Sequence, residues 1–200
     1  MHPNPLFRWE DRDAMRDFVA AAGFGALFAG TPDGPRVAHV PVVWLGGETL
    51  GFHLARGNGI VRHLDGATAL FTVLGPDAYV SPDWYGQGPN EVPTWNYVSI
   101  ELDGRVARME REDLIAQIDA LSHVNEARLA PKPEWTRAKT DPKKIEMMLN
   151  AIVGFRLEVQ AWRGTLKLGQ NKPDAARESA AHHLDTQGRK AVAHWMRHAK

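Results

Sequence analysis

Two hundred residues, 44% of them hydrophobic, suffice for one domain with a sizeable core, or for one domain with a helical appendage. Twenty-four basic and twenty-four acidic side chains cancel, so no global field gathers phosphate backbones, and net charge lends nucleic-acid binding no support. Cysteine is absent, which excludes disulfides, thiolate metal sites and a cysteine nucleophile, and fits a reducing compartment.

Residues 1–13 carry Arg8, Glu10 and Asp11 and have no apolar signal core. The longest apolar run, 19–30, contains glycines and is too short to span a bilayer. A soluble cytoplasmic protein is expected. Residues 11–22 read as a helix: Met15, Phe18, Val19 and Ala22 recur at helical spacing, and Gly23 can end it. Short β-rich runs follow at 25–29, 37–44 and 49–55. Thr31-Pro32-Asp33-Gly34-Pro35 and Gly46-Gly47 separate them, which predicts antiparallel hairpins. Pro41 cannot donate to a ladder and marks an edge or a bulge. Residues 60–64 allow a helical turn or two, and 67–74 read as a central strand. Gly75-Pro76-Asp77 is expected to turn into Tyr79-Val80-Ser81.

After a polar, glycine-rich loop at 83–91, residues 95–109 read as a long strand or hairpin, with Asp103-Gly104 at a turn or bulge. Residues 110–129 read as a helix, and 130–140 as a proline-bearing connection. Asp141-Pro142 starts another helix, with a carboxylate at the cap and proline at the first position. Residues 153–162 alternate as a strand, Gly164 is expected to turn, and 165–168 return. Two terminal helices are expected at 174–184 and 189–198. Six or seven strands arranged in hairpins, without regular crossover helices, predict an antiparallel barrel with helical additions.

Residues 79–97 concentrate Tyr79, Trp84, Tyr85, Trp95 and Tyr97 among Ser81, Thr94 and Asn96. Flat faces with a few polar groups suit a planar, partly polar ligand; an aromatic core corner has the same composition. Arg56, Asn58 and Arg62 follow the third strand, with Gly57 and Gly59 freeing the backbone, a pattern suited to phosphate or to a solvated turn. Lys167, Gln170 and Asn171 form a second polar knot at the last strand's end. Among nine histidines, His194 and His198 have i, i+4 spacing, but no carboxylate completes a metalloprotease pattern, and no metal is expected. Phosphate-loop, dinucleotide and serine-hydrolase motifs are missing from the sequence, and no spacing assigns a catalytic acid or base.

Several motifs occur in one order: Phe7, Ala38-His39-Val40-Pro41, His53-Leu54-Ala55-Arg56-Gly57-Asn58, Gly75-Pro76, Ala78-Tyr79-Val80-Ser81-Pro82, Trp84-Tyr85, Val92-Pro93-Thr94-Trp95-Asn96-Tyr97, Ala151-Ile152-Val153-Gly154-Phe155, Lys167-Leu168 and Gln170-Asn171-Lys172. This set resembles the PaiB family of FMN-binding negative transcriptional regulators, over at least residues 7–177. That family is similar to the pyridoxamine-phosphate-oxidase-like split barrels, which are usually homodimers with flavin at the subunit interface.

The resemblance implies an α+β, mainly β chain: an FMN-binding antiparallel split β-barrel with flanking helices over 1–172. A helical extension, 173–200, would pack on the same domain. It implies FMN as cofactor. Trp95 and Tyr97 would be flat walls, and Thr94, Asn96 or backbone near His39, Val40 and Pro41 would meet the ring edge. Arg56 and Asn58 would be first at the phosphate, with Lys167, Gln170 and Asn171 as a group the other subunit could contribute. Gly169 stands where the family often has serine. Flavin-dependent redox activity stays open. The alternatives are haem binding or degradation on the same barrel, with a histidine as axial ligand, and a DNA-binding repressor acting through the terminal helices.

Overall fold

The structure, a computed structural model, describes residues 2–199. Seven strands are β1 (Arg8–Trp9), β2 (Phe24–Thr31), β3 (Gly34–Gly46), β4 (Thr49–Ala55), β5 (Thr68–Val80), β6 (Thr94–Arg108) and β7 (Ile152–Lys167). Five helices are α1 (Arg12–Ala22), α2 (Arg111–Ala127), α3 (Pro142–Asn150), α4 (Asp174–Thr186) and α5 (Lys190–His198). The strands are hydrogen-bonded in the order β1-β7-β4-β3-β2-β5-β6, and β7 also pairs with β6, which closes the antiparallel sheet into a ring. This is the expected split barrel with flanking helices.

The chain divides into two compact units. The larger comprises Arg16–Thr72 and Leu102–Trp162; the smaller comprises the residues up to 15, Val73–Glu101, and the residues from 163 onward. In the larger unit, β3 pairs with β2 (Phe28 opposite Val37) and with β4 (Val42 opposite Phe52). Pro41 lies where the β2 ladder ends and the β4 ladder begins, so its missing N–H interrupts neither, while Val42 N donates to Gly23 O at 2.9 Å. Alternation sends Leu50, Phe52 and Leu54 inward against Val153, Phe155 and Leu157; Phe52 and Phe155 stack at 5.6 Å.

The other face of that strand pair is floored by glycine. A Cβ on Gly51 would sit 2.9 Å from Gln117 Cγ, and one on Gly154 would sit 2.9 Å from Leu114 Cδ1. Helix α2 therefore lies close on backbone. In the smaller unit, buried Ala180, Ala181, Leu184, Val192, Ala193 and Met196 pack α4 on α5, and Trp9 meets Trp195 edge-on at 5.6 Å. Helix α1 begins at Asp11, whose carboxylate accepts from Ala14 N at 3.0 Å, and Asp141 caps α3 through Lys143 N at 2.8 Å.

Two expected turns, and Asp103-Gly104, expected as a turn or bulge, are strand interior. Gly75-Pro76-Asp77 continues β5, because proline's fixed φ is compatible with extended backbone and the Asp77 carboxylate accepts Trp95 Nε1 at 3.0 Å. Gly104 continues β6 as a point of close approach: a Cβ there would lie 2.2 Å from Glu158 O. Gly164 continues β7 opposite Trp9, where a Cβ would lie 2.6 Å from Met15 Sδ.

Candidate functional site

The expected site residues divide between the two units. In the larger unit, β4 delivers the chain into the loop Arg56-Gly57-Asn58-Gly59. Arg56 Nε donates to Asn150 O at 2.8 Å and Nη2 to Ile152 O at 3.1 Å, so the carbonyls where α3 gives way to β7 fix the guanidinium and leave Nη1 over. Asn58 Oδ1 accepts from Ile60 N at 3.1 Å, which closes an Asx turn and leaves the amide NH2 over. Nothing lies within 4 Å of a Cβ placed on Gly57 or Gly59.

Arg56 borders a cavity of about 470 Å³ that Arg108 and Arg111 share, floored by Met109, Leu114 and Leu149. Glu146 at 2.5 Å and the Asn150 side chain at 3.0 Å hold Arg111. The Arg108 guanidinium makes no hydrogen bond or ion pair among the described residues; only its backbone N–H is used, by Asp65 at 2.9 Å. Arg108 is a cation the sequence reading missed, because nothing local distinguishes a strand-end arginine that borders a cavity from one in solvent.

On β3, Val40 is fully buried, while His39 is exposed and Pro41 half-buried. His39 and Pro41 share the outer face with exposed Phe24, Phe28 and Val37, since Phe24 faces Pro41, Ala26 faces His39 and Phe28 faces Val37. The result is an apolar sheet face with one imidazole on it.

In the smaller unit, Asn96, Val98 and Ile100 point inward along β6, and Trp95 and Tyr97 point the other way. Trp95 is about half exposed and meets Tyr79 edge-on at 6.0 Å. Asn96 is buried: its Nδ2 reaches Met196 Sδ at 3.4 Å, and its side chain lies beside Tyr85. Burial pushes the Tyr85 hydroxyl pKa up, the Asn96 contact opposes that, and the Glu91 charge adds to it. Lys167, at the end of β7, donates its ammonium to Thr94 Oγ1 and to the Trp95 carbonyl at 2.6 Å. Both ends of the Gln170 amide are spent locally, Oε1 accepting from Leu168 N at 2.9 Å and Nε2 donating to Leu166 O at 2.7 Å. The Asn171 amide is exposed and unbonded among the described residues. Gly169 has φ +85°, a left-handed backbone that disfavours an L side chain, which gives the glycine a local reason. A second cavity, in this unit, is bordered by Thr94, Asn96, Lys167 and Asn171 together with Tyr85, Glu91 and Lys172; Lys172 closes the terminal motif but was not among the expected site residues.

Arg197, one of the basic residues on the last helix, bridges Glu178 at 2.9 Å and Asp185 at 2.6 Å, which ties α5 to α4. Among the described residues no His, Asp and Glu cluster could hold a metal ion, and no helix is long and apolar enough to cross a membrane.

The sequence profile of the family described as "Putative FMN-binding domain" matches residues 1–161. The "Protease synthase and sporulation protein PAI 2" of Bacillus subtilis (strain 168) is 26% identical over 176 residues, covering 86% of this chain and 83% of that one. Among solved structures, the FAD and heme binding protein from Mycobacterium smegmatis is similar with a TM-score of 0.61 at 19% identity, covering 81% of this chain and 74% of its own. The flavocytochrome Anf3 from Azotobacter vinelandii gives 0.60 at 16% identity, covering 84% and 73%. At such identities these structures speak for the fold alone. The profile match covers most of the chain and bears out both the expected kinship and FMN as the cofactor: the chain belongs to the PaiB-like family of FMN-binding proteins.

Proposed function

We propose that the chain works as a cytoplasmic homodimeric FMN protein, with the cofactor's phosphate at the Arg56-Gly57-Asn58-Gly59 loop and Arg108 beside it. The observation that carries this reading is donor capacity left over at one place. Arg56 Nη1, the Asn58 amide NH2 and the Arg108 guanidinium are unspent, and the flanking glycines leave the backbone open. Two guanidiniums answer a phosphate's charge of about −1.5 to −2, and a fork geometry binds its oxygens in pairs. The residues present therefore fit the phosphate of FMN.

The flat apolar groups that a flavin ring needs are available in the same unit, on the outer β2–β3 face. FMN, when bound, supplies hydride and electron transfer. The protein's part is to fix the phosphate, cover the ring and exclude water. Direct DNA reading by the terminal helices gains no support, since Arg197 is already paired within them.

The test compares FMN with riboflavin, which lacks the phosphate. Wild-type protein is expected to take up FMN with a flavin absorption band. Arg56→Ala and Arg108→Ala should each weaken FMN by about tenfold while leaving riboflavin unchanged. Failure of the wild type to take up added FMN overturns the reading; equal losses for both flavins overturn the phosphate assignment.

A further inference from the structure

We propose that the cavity in the smaller unit, with Lys167 on its wall, is a binding site for a small organic carboxylate. The inference stands on this unit's residues and requires only that the flavin phosphate lie outside this cavity. The cavity measures about 250 Å³, below the roughly 300–1,000 Å³ of sites for drug-sized ligands, so its guest is small. Lys167, Lys172 and Glu91 are the lysines and the carboxylate on its wall. Glu91 pairs with Lys172, whose ammonium also lies 5.4 Å from the centroid of the Tyr85 ring, so these two charges cancel. Lys167 has no carboxylate partner among the described residues; a hydroxyl and a carbonyl, both neutral, hold it in place.

A half-buried ammonium solvated only by neutral oxygens is under-compensated, and loss of water lowers its pKa. An anion on the third N–H of that ammonium would remove the deficit. Asn171, whose amide is unbonded, offers a second donor at the same wall, and Phe7 and Tyr85 supply apolar surface for the rest of the guest. A single uncompensated positive charge next to the Glu91 carboxylate favours a monoanion over a phosphate dianion. The same oxyanion chemistry could also come from inorganic phosphate or from the phosphate of FMN, and the arms of the test separate these sources.

The full-length protein, labelled with nitrogen-15 and carbon-13, is titrated with acetate, benzoate and inorganic phosphate while the Asn171 side-chain amide and the Lys167 Cε resonance are followed. Saturable shifts with a carboxylate are expected, with affinity falling about tenfold in Lys167→Met and measurably in Asn171→Leu. Asn171 is exposed and unbonded, so its variant reports even if Lys167→Met fails to fold. The absence of a saturable shift with either carboxylate overturns the proposal, as does unchanged affinity in the variants that fold. Stronger binding of inorganic phosphate than of either carboxylate overturns the carboxylate assignment. If Lys167→Met weakens FMN but not riboflavin, the cavity belongs to the flavin phosphate and the proposal also fails.

Discussion

His53 sits on β4 beneath α2, on the glycine-floored face, and Gln117 of the helix comes down beside it. Neither His53 Nδ1 nor either amide atom of Gln117 finds a well-aligned hydrogen-bond partner among the described residues. Desolvation lowers the His53 pKa, and the nearby Gln117 amide raises it by less, so the ring is neutral in the fold below the usual histidine range. The unfolded chain therefore binds more protons than the folded one as pH falls through about 6.5. The stability tied to a neutral His53 is complete above that value and is lost as pH falls toward the lower folded pKa. Urea unfolding at pH 5.5 and 7.5 should show a loss on acidification that shrinks in His53→Gln; an equal loss in both proteins would place the effect elsewhere. Gln117 is wholly buried with its amide unsatisfied, so Gln117→Leu should raise stability by about 1 kcal/mol in the same measurement.

Strands β5, β6 and β7 each run thirteen residues or more and carry glycine inside them. The glycines are placed by neighbours rather than by turns. A Cβ on Gly104 would fall 2.2 Å from a backbone oxygen, which cannot rotate away, so Gly104→Ala must push two strands apart. Unfolding should show a loss of about 1–3 kcal/mol. Gly30, on β2, has nothing within 4 Å of the same added atom, and Gly30→Ala should stay within about 0.5 kcal/mol of wild type. A similar loss at both positions would mean that strand propensity, not close approach, sets the effect.

This contrast also marks what the sequence could show of the fold. Periodicity revealed α1 and the capped start of α3, because their apolar spacing and their Asp11 and Asp141 caps are local. The hairpins of β2, β3 and β4 were legible for the same reason. The long strand through 95–109 was one of two readings, but Asp103-Gly104 was read as a turn or bulge and Gly164 as a turn, because the cause of each glycine, Glu158 O or Met15 Sδ, lies far along the chain. The site was legible by type more than by function. The Arg56 loop and Lys167 stood out as cations beside glycine and amides, yet no pattern could show that Gln170 is spent on its own backbone or that Arg108 borders the Arg56 cavity.

At the scale of the whole molecule, the outer face of β2 and β3 remains to be covered. Phe24 is 54% exposed, Phe28 39% and Val37 46%, and strand register puts all three on one face with Pro41 and His39. Cross-strand neighbours of this kind make a continuous patch rather than scattered side chains. Covering a phenylalanine is worth roughly 1.5–3 kcal/mol, and a second copy applying the same patch counts each ring twice through a twofold axis. If that face both joins the copies and helps wall the flavin, assembly and cofactor binding are linked: FMN should tighten the dimer, and dimerisation should raise FMN affinity. Phe28→Glu would put two carboxylates into the joint without touching the core, because Phe28 faces outward between Val37 and Leu70. Sedimentation should show wild type as a dimer and Phe28→Glu as a monomer with an unchanged far-ultraviolet spectrum, and its FMN affinity should fall along with its self-association. A monomeric Phe28→Glu that binds FMN as tightly as wild type would separate the two, leaving the face as an interface with no part in holding the cofactor.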